Sequence, residues 1–141
     1  MIKVVPIQAK SEQELACSRC NIKFRPDALA YSASVNDEFV GMCQFKLTDK
    51  GGVIYDLAVM PERDSFEAMF VMGRAALNFI DLCGVHTAFY NSESGCDDTL
   101  LRAIGFSKNS NGIYEMDLTD FFTSHPCKHC KDGMNYDSPN Q

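Results

Sequence analysis

The chain has 141 residues and a net charge of −6, and 45% of its side chains are hydrophobic. This length corresponds to one domain with an ordinary hydrophobic core, which excludes a chain that is disordered throughout. An acidic chain whose lysines and arginines do not cluster lacks the electrostatic surface of a nucleic-acid-binding protein. No apolar run reaches the roughly 20 residues of a membrane span, and the N-terminus lacks the apolar stretch of a secretion signal, so we expect a cytoplasmic protein.

The first half of the chain predicts a strand, a helix and three further strands. The first strand covers residues 2–7, and Ser11 with Glu14 predicts a capping box at the start of the helix. A break around Pro26 ends this helix. The three strands that follow are predicted at 28–35, 39–47 and 53–60.

The second half begins with a long amphipathic helix that runs to about Cys83. Asp64 with Glu67 predicts its N-terminal cap, and Gly84 predicts its end. The remaining elements are a strand, a short helix and two strands, predicted at 85–90, 97–104, from 105, and 113–118. The resulting order, β-α-β-β-β-α-β-α-β-β, predicts a single α/β domain with a mixed sheet.

The regular pattern ends near residue 118. We therefore divide the chain into a domain at residues 1–118 and a polar C-terminal tail at 119–141. The tail carries two cysteines, and we expect it to dock on the first helix.

Four of the seven cysteines form two CxxC pairs, Cys17 with Cys20 and Cys127 with Cys130. Two thiolates separated by two residues can bind the same tetrahedral zinc, and two such pairs complete a structural site. The pairs therefore predict a zinc ion that ties the tail to the first helix. A disulfide or redox pair, or four unconnected free thiols, are the alternatives that the sequence leaves open.

Three segments resemble one known family. They are LAVMPERDSFEAMFVMGRAAL at 57–77, LLRAIGF at 100–106 and GIYEMDL at 112–118. Together with the order of elements, they resemble the GNAT superfamily of N-acetyltransferases over residues 2–118. The resemblance implies a GNAT-like (acyl-CoA N-acyltransferase-like) domain with a mixed, mostly antiparallel sheet flanked by helices.

The same resemblance implies where acetyl-CoA would lie. In the family, the cofactor runs along the central strand, whose matching residues here are Leu57, Ala58 and Val59. Their backbone groups would align the pantetheine arm. Arg63 lies in the matching pyrophosphate loop, and Asn91 matches a position that often contacts cofactor or substrate.

Two family motifs are altered in this chain. The pyrophosphate loop of the family carries a basic residue and two glycines, and the matching residues here are Asp64, Glu67 and Met69. Acidic side chains repel phosphate, and a side chain in place of glycine prevents close approach of the backbone. The family's proton-donating tyrosine is replaced by Leu101, which has no proton to donate.

The resemblance implies an N-acetyltransferase that moves an acetyl group from acetyl-CoA to an unidentified amine. Asp56 and Glu115 are the candidate general bases. The alternative is a non-catalytic binding or sensing module that kept the GNAT fold and is stabilised by a structural zinc. The predicted partner is a small-molecule or peptide amine, without nucleic acid or membrane, and a homodimer is left open.

Overall fold

The computed structural model describes residues 1–63, 65–91 and 97–122. Within these ranges the chain forms three helices and seven strands, in the order that the sequence predicts. The helices are α1 (Lys10–Arg19), α2 (Phe66–Leu82) and α3 (Asp98–Ile104). The strands are β1 (Ile2–Pro6), β2 (Leu29–Val35), β3 (Glu38–Thr48), β4 (Gly51–Val59), β5 (Thr87–Tyr90), β6 (Ser107–Lys108) and β7 (Tyr114–Asp117).

All seven strands form one sheet, in the order β1-β2-β3-β4-β5-β7-β6. Every pair in the sheet is antiparallel except β4 with β5, which are parallel. A parallel pair needs a crossover connection, and α2 supplies it. The predicted mixed, mostly antiparallel sheet flanked by helices is therefore confirmed.

The two faces of the sheet are covered unequally. Helices α2 and α3 pack on one face over the larger core, which includes Phe45, Ile54 and Leu101. Helix α1 packs on the opposite face over a smaller core, which includes Cys17 and Met42. Neighbouring residues of β3 and β4 alternate between the two cores, because successive side chains of a strand point to opposite faces.

The helix starts differ from the sequence predictions. Ala9 precedes α1 and no side chain caps that end, so the predicted capping box of Ser11 and Glu14 is wrong. Ser65 caps α2, because its hydroxyl accepts a 3.1 Å hydrogen bond from the Ala68 amide. Asp64, which was predicted to cap α2, lies outside the described residues.

Arg74 holds the last described residues against the α2–α3 face. Its guanidinium lies over the rings of Phe70 and Phe121, at 4.8 and 5.0 Å from their centroids. It also donates a 2.8 Å hydrogen bond to the carbonyl oxygen of Ile104, at the end of α3. Phe121 and Phe122 pack on the larger core, so at least these two residues of the predicted tail lie against the domain.

Among the helices of the described ranges, none is both long enough and apolar enough to cross a membrane.

Candidate functional site

The two central strands separate halfway along β4. They pair at three positions only, the last being Ile54 with Tyr90. The Asn91 amide then donates a 2.8 Å hydrogen bond to the Ile54 carbonyl, and β5 has ended while β4 continues to Val59. Among the described strands, none pairs with this part of β4 on the β5 side. We call the open side of β4, from Tyr55 to Val59, the slot.

A bulge in β4 determines which residues face the slot. Ile54 pairs with Phe45 of β3, but Asp56 pairs with the adjacent Gln44, so Tyr55 is an extra residue. Such a bulge shifts the alternation of the strand by one residue.

One hydrogen bond shows in which direction each peptide group beyond the bulge points. The Met60 amide donates to the Val40 carbonyl of β3 at 2.9 Å. Because alternate peptide groups of a strand point in opposite directions, Ala58 also faces β3, whereas Leu57 and Val59 face the slot. Of the three predicted backbone donors, Leu57 and Val59 are thus directed at the slot, and Ala58 is directed away from it.

A buried polar network supports the bulge from the α1 face. The Gln44 amide nitrogen donates to the Asp56 carboxylate at 2.7 Å, and Gln13 of α1 donates to the Gln44 oxygen at 2.9 Å. Arg25 forms an ion pair with Asp56 at 3.1 Å, and its guanidinium lies 4.6 Å from the centroid of the Tyr55 ring. The side chains of Gln13, Gln44 and Asp56 are buried. The network therefore joins α1, the segment after it, β3 and the bulge.

The two candidate bases differ in their surroundings. Asp56 is fully buried, and its carboxylate is bonded within the network. Glu115 is half-buried on β7, and its carboxylate accepts a 3.1 Å hydrogen bond from the Asn109 side chain. Glu115 is paired with Phe89 of β5, one position before the strand ends. Of the two, Glu115 is the more accessible to a substrate.

Asn91 lies beside a cavity at the point where the strands separate. This cavity has a volume of about 310 Å³, which is within the range of small-molecule sites. The residues that line it come from β4, β5 and the turn before β7, and they are Val53, Phe89, Tyr90, Asn91, Gly112, Ile113 and Tyr114. Asn91 is thus placed between the slot and a predominantly apolar pocket.

The start of α2 differs from a phosphate-binding helix terminus. Orphan amides at a helix N-terminus bind anions, but here the Ser65 hydroxyl already accepts from the Ala68 amide. Glu67 adds an exposed carboxylate to the first turn, and Met69 adds a half-buried side chain to the next. Arg63 forms a 2.8 Å ion pair with Glu38 at the protein surface. The described residues at the start of α2 therefore do not fit a diphosphate.

The residue at the family's tyrosine position has no catalytic hydroxyl. Leu101 is fully buried in the core under α3. A different tyrosine approaches this helix, because the Tyr114 hydroxyl donates a hydrogen bond to the Asp98 carboxylate in the first turn of α3. A hydroxyl bound to a carboxylate acceptor is a poor proton donor, so Tyr114 does not replace the missing group.

Cys17 and Cys20 are buried in the core under α1. Burial raises the pKa of each thiol to about 11, so both are protonated at neutral pH. In the described part of the chain, no group of three or more His, Cys, Asp or Glu side chains could hold a metal ion. Cys127 and Cys130, the other half of the predicted zinc site, lie outside the described residues.

Sequence reasoning missed the network below the bulge. Gln44 stands between Cys43 and Phe45 in an otherwise apolar strand, and a lone polar residue in such a run signals a buried hydrogen-bond network. Arg25 was interpreted only as part of a helix break, and nothing in its local sequence indicates that it pairs with Asp56.

No protein-family model matches this sequence, and no curated protein matches it. Solved structures do match. The ribosomal-protein-S18-alanine N-acetyltransferase from Escherichia coli aligns with a TM-score of 0.64 and 10% identity, over 84% of this chain and 94% of its own. A Bacillus subtilis acetyltransferase in complex with CoA aligns with a TM-score of 0.65 and 14% identity, over 84% and 99% of the two chains.

The IAA acetyltransferase from Bacillus cereus aligns equally well, with a TM-score of 0.65 and 16% identity, over 84% of this chain and all (100%) of its own. Identities this low establish the architecture and leave the chemistry open. The chain has the fold of the GNAT superfamily of N-acetyltransferases.

Proposed function

We propose that this chain is an N-acyltransferase that moves an acetyl group from the thioester of acetyl-CoA to an amine. One observation supports the proposal above the others: β4 separates from β5, and no described strand pairs with the peptide groups of Leu57 and Val59 along the slot. Unpaired peptide groups on a strand edge bind an extended, amide-containing ligand by adding it to the sheet. The pantetheine arm of acetyl-CoA is such a ligand.

The reaction needs few catalytic groups. The amine nitrogen attacks the thioester carbonyl carbon and forms the new C–N bond, and the C–S bond then breaks and releases the thiolate. The nitrogen loses one proton to a base, and the thiolate takes one proton from water, since Leu101 supplies none. A slot-facing amide, such as that of Leu57, would stabilise the negative charge that develops on the carbonyl oxygen. Holding the amine beside the thioester supplies the remaining rate enhancement.

Of the two candidate bases, we favour Glu115 for proton removal. Asp56 is fully buried and is bonded to Gln44 and Arg25, so its contacts support a positioning role. Glu115 is half-buried on the strand next to β5, and it keeps a carboxylate oxygen outside its bond with Asn109.

The acceptor is proposed to be a small-molecule or peptide amine. The cavity beside Asn91 is large enough for a small side chain or ligand, and its lining is mostly apolar and aromatic. The net charge of −6 attracts a cationic amine and repels anionic acceptors. A basic amine with an apolar or aromatic substituent matches both features.

A second candidate function is a non-catalytic binding or sensing module with the GNAT fold. It is favoured by the start of α2, where Ser65 occupies an amide donor and Glu67 adds negative charge, and by Leu101 in place of a proton donor. In its zinc-stabilised form this module also depends on Cys127 and Cys130.

A thermal-shift titration combined with a transfer assay distinguishes the two functions. A ligand at 100 times its dissociation constant stabilises a protein by about 2.7 kcal/mol, which gives a clear increase in Tm. We expect acetyl-CoA to raise the Tm and to release free thiol when a panel of basic amines is added. Failure of every thioester to raise the Tm or release thiol would favour the non-catalytic module.

A further inference from the structure

We infer that the acyl donor is recognised through its acyl-pantetheine arm alone, and that its nucleotide diphosphate contributes nothing to binding. The inference rests on the proposed function, and it follows from a mismatch between two halves of one site. The slot keeps the features that bind pantetheine, while the start of α2 has lost those that bind diphosphate.

The slot half of the site is built to hold an extended ligand. Leu57 and Val59 present their peptide groups on the same side, two residues apart, which is the repeat at which an added strand forms its hydrogen bonds. Pantetheine carries two secondary amides joined by an unbranched β-alanine unit, so it can pair with this edge. No charged group of the ligand is needed for these bonds.

The bulge that creates this edge is held firmly. Asp56, the residue after the extra Tyr55, accepts hydrogen bonds from Gln44 at 2.7 Å and from Arg25 at 3.1 Å. Gln13 in turn donates to the Gln44 side-chain oxygen at 2.9 Å. Buried polar groups with satisfied hydrogen bonds fix one arrangement of the backbone. The slot is therefore preorganised before any ligand enters.

The α2 half of the site opposes a diphosphate for three separate reasons. The Ala68 amide already donates to the Ser65 hydroxyl, so one anion-binding donor is in use. Glu67 places an exposed carboxylate in the first helical turn, where it repels phosphate. The guanidinium of Arg63 pairs with Glu38, and a diphosphate would have to replace that partner.

The direct test compares two donors that differ only in the nucleotide. Calorimetric titration with CoA and with reduced pantetheine gives the two dissociation constants, and S-acetyl-pantetheine is compared with acetyl-CoA in the transfer assay. We expect dissociation constants, and values of kcat/KM, that agree within about threefold. Binding of CoA at least tenfold tighter than pantetheine would overturn the inference and leave the proposed function standing. Failure of both to bind would overturn the two together.

A charge reversal in the first turn of α2 provides the matched variant. Glu67→Lys removes the repelling carboxylate and adds a cation, so CoA should bind about fivefold more tightly while pantetheine binding is unchanged. Asp49→Lys makes the same change of charge in the turn at the other end of β4 and should alter neither. If both variants bound CoA more tightly by the same factor, or if Glu67→Lys bound it no more tightly than the unmodified protein, the repulsion would not come from the start of α2. The Tm of each variant without ligand shows that the fold is retained.

Discussion

The side-chain amide of Gln44 donates a 2.7 Å hydrogen bond to the carboxylate of Asp56, and both side chains are fully buried. The two residues are directly paired across β3 and β4 at the bulge, within the part of β4 that borders the slot. Arg25 neutralises the carboxylate through the same oxygen, at 3.1 Å. A buried ion pair and a glutamine thus determine the backbone geometry of the strand that the proposed donor would contact.

Removing the carboxylate should strongly destabilise the domain. Asp56→Ala removes the carboxylate that forms an ion pair with the largely buried Arg25 and accepts a hydrogen bond from Gln44. Breaking a buried pair in this way typically lowers the free energy of unfolding by about 3–5 kcal/mol. Urea denaturation measures the change. Asp27→Ala, which breaks the exposed ion pair with Lys46, is the control and should change stability far less.

Glu115 can be tested as the general base without disturbing the fold. Glu115→Gln keeps an oxygen that accepts from Asn109, so the Tm should stay the same, while kcat should fall about 100-fold or more with KM little changed. Steady-state kinetics across a pH series measure both constants. Asp117→Asn, two residues further along β7, is the matched control. Full activity of Glu115→Gln would remove Glu115 from the mechanism.

The order of elements could be predicted from the sequence because it depends on local signals. Apolar periodicity marks α2, and turn residues such as Gly84 and Gly112 mark the ends of elements, so each can be recognised within a short window. The Leu-Ala-Val run at 57–59 also identified the strand of the slot.

The support of the site could not be predicted in this way, because it depends on contacts distant in sequence. Gln13 bonds to Gln44 across 31 positions, and Arg25 pairs with Asp56 across 31 positions. The bulge at Tyr55 turns the Ala58 peptide group away from the slot, and it results from the pairing register between β3 and β4. Helix caps were missed for a simpler reason: several adjacent residues can cap, and the backbone geometry that makes Ser65 the cap of α2 cannot be recognised in the sequence.

The thiols of Cys17 and Cys20 should react slowly in the folded protein. Burial raises the pKa of each to about 11, so at pH 8 almost no thiolate is present, and the thiolate is the reactive form. Cys83 is exposed at the end of α2 and should be alkylated by iodoacetamide well before them. Peptide mapping after timed alkylation measures the order. Rapid modification of Cys17 would show that α1 opens readily.

The same pKa shifts predict a loss of stability in alkaline solution. Between pH 9 and about pH 11 the unfolded thiols lose their protons, whereas the folded thiols keep them. The folded state then binds more protons than the unfolded state, so the free energy of unfolding falls as the pH rises through this window. Urea midpoints at pH 8 and pH 10.5 measure the fall. The fall in stability should be smaller in the double variant Cys17→Ala/Cys20→Ala. If stability fell equally steeply with pH in that variant, these two thiols would not be its cause.

The two described cysteines of the predicted zinc site lie far from the last described residue in the fold. Cys17 and Cys20 belong to the core under α1, whereas Phe122 packs on the larger core, on the opposite face of the sheet. In the described part of the chain, no group of three or more potential ligands could hold a metal ion. A four-cysteine site would therefore require the chain after Phe122 to pass around the sheet.

Elemental analysis should therefore find far less than one zinc per chain, and a chelator should leave the Tm unchanged. Cys17→Ser should lower the Tm through a buried hydroxyl and leave the metal content as it was. One zinc per chain, lost equally in Cys17→Ser and Cys127→Ser, would establish the four-cysteine site and require the chain to reach around the sheet.

Arg74 should stabilise the domain through stacking and hydrogen bonding rather than through an ion pair. Its guanidinium lies between the rings of Phe70 and Phe121 and donates to the carbonyl oxygen of Ile104, which ends α3. Partial burial lowers its pKa, and a guanidinium stays charged in proteins. Arg74→Lys keeps the charge but loses the planar stacking surface and the fixed direction of the donor.

We expect Arg74→Lys to lower the free energy of unfolding by about 1–3 kcal/mol, the usual contribution of a hydrogen bond to a charged group. Urea denaturation measures it, with Arg102→Lys as the control, because Arg102 is exposed on α3 and forms only a surface pair with Asp98. If Arg74→Lys were as stable as the unmodified protein, charge alone would explain the interaction, and stacking on Phe70 and Phe121 would contribute little. In that case Phe121→Leu should also leave stability unchanged, whereas the stacked arrangement predicts that it lowers stability by a similar amount.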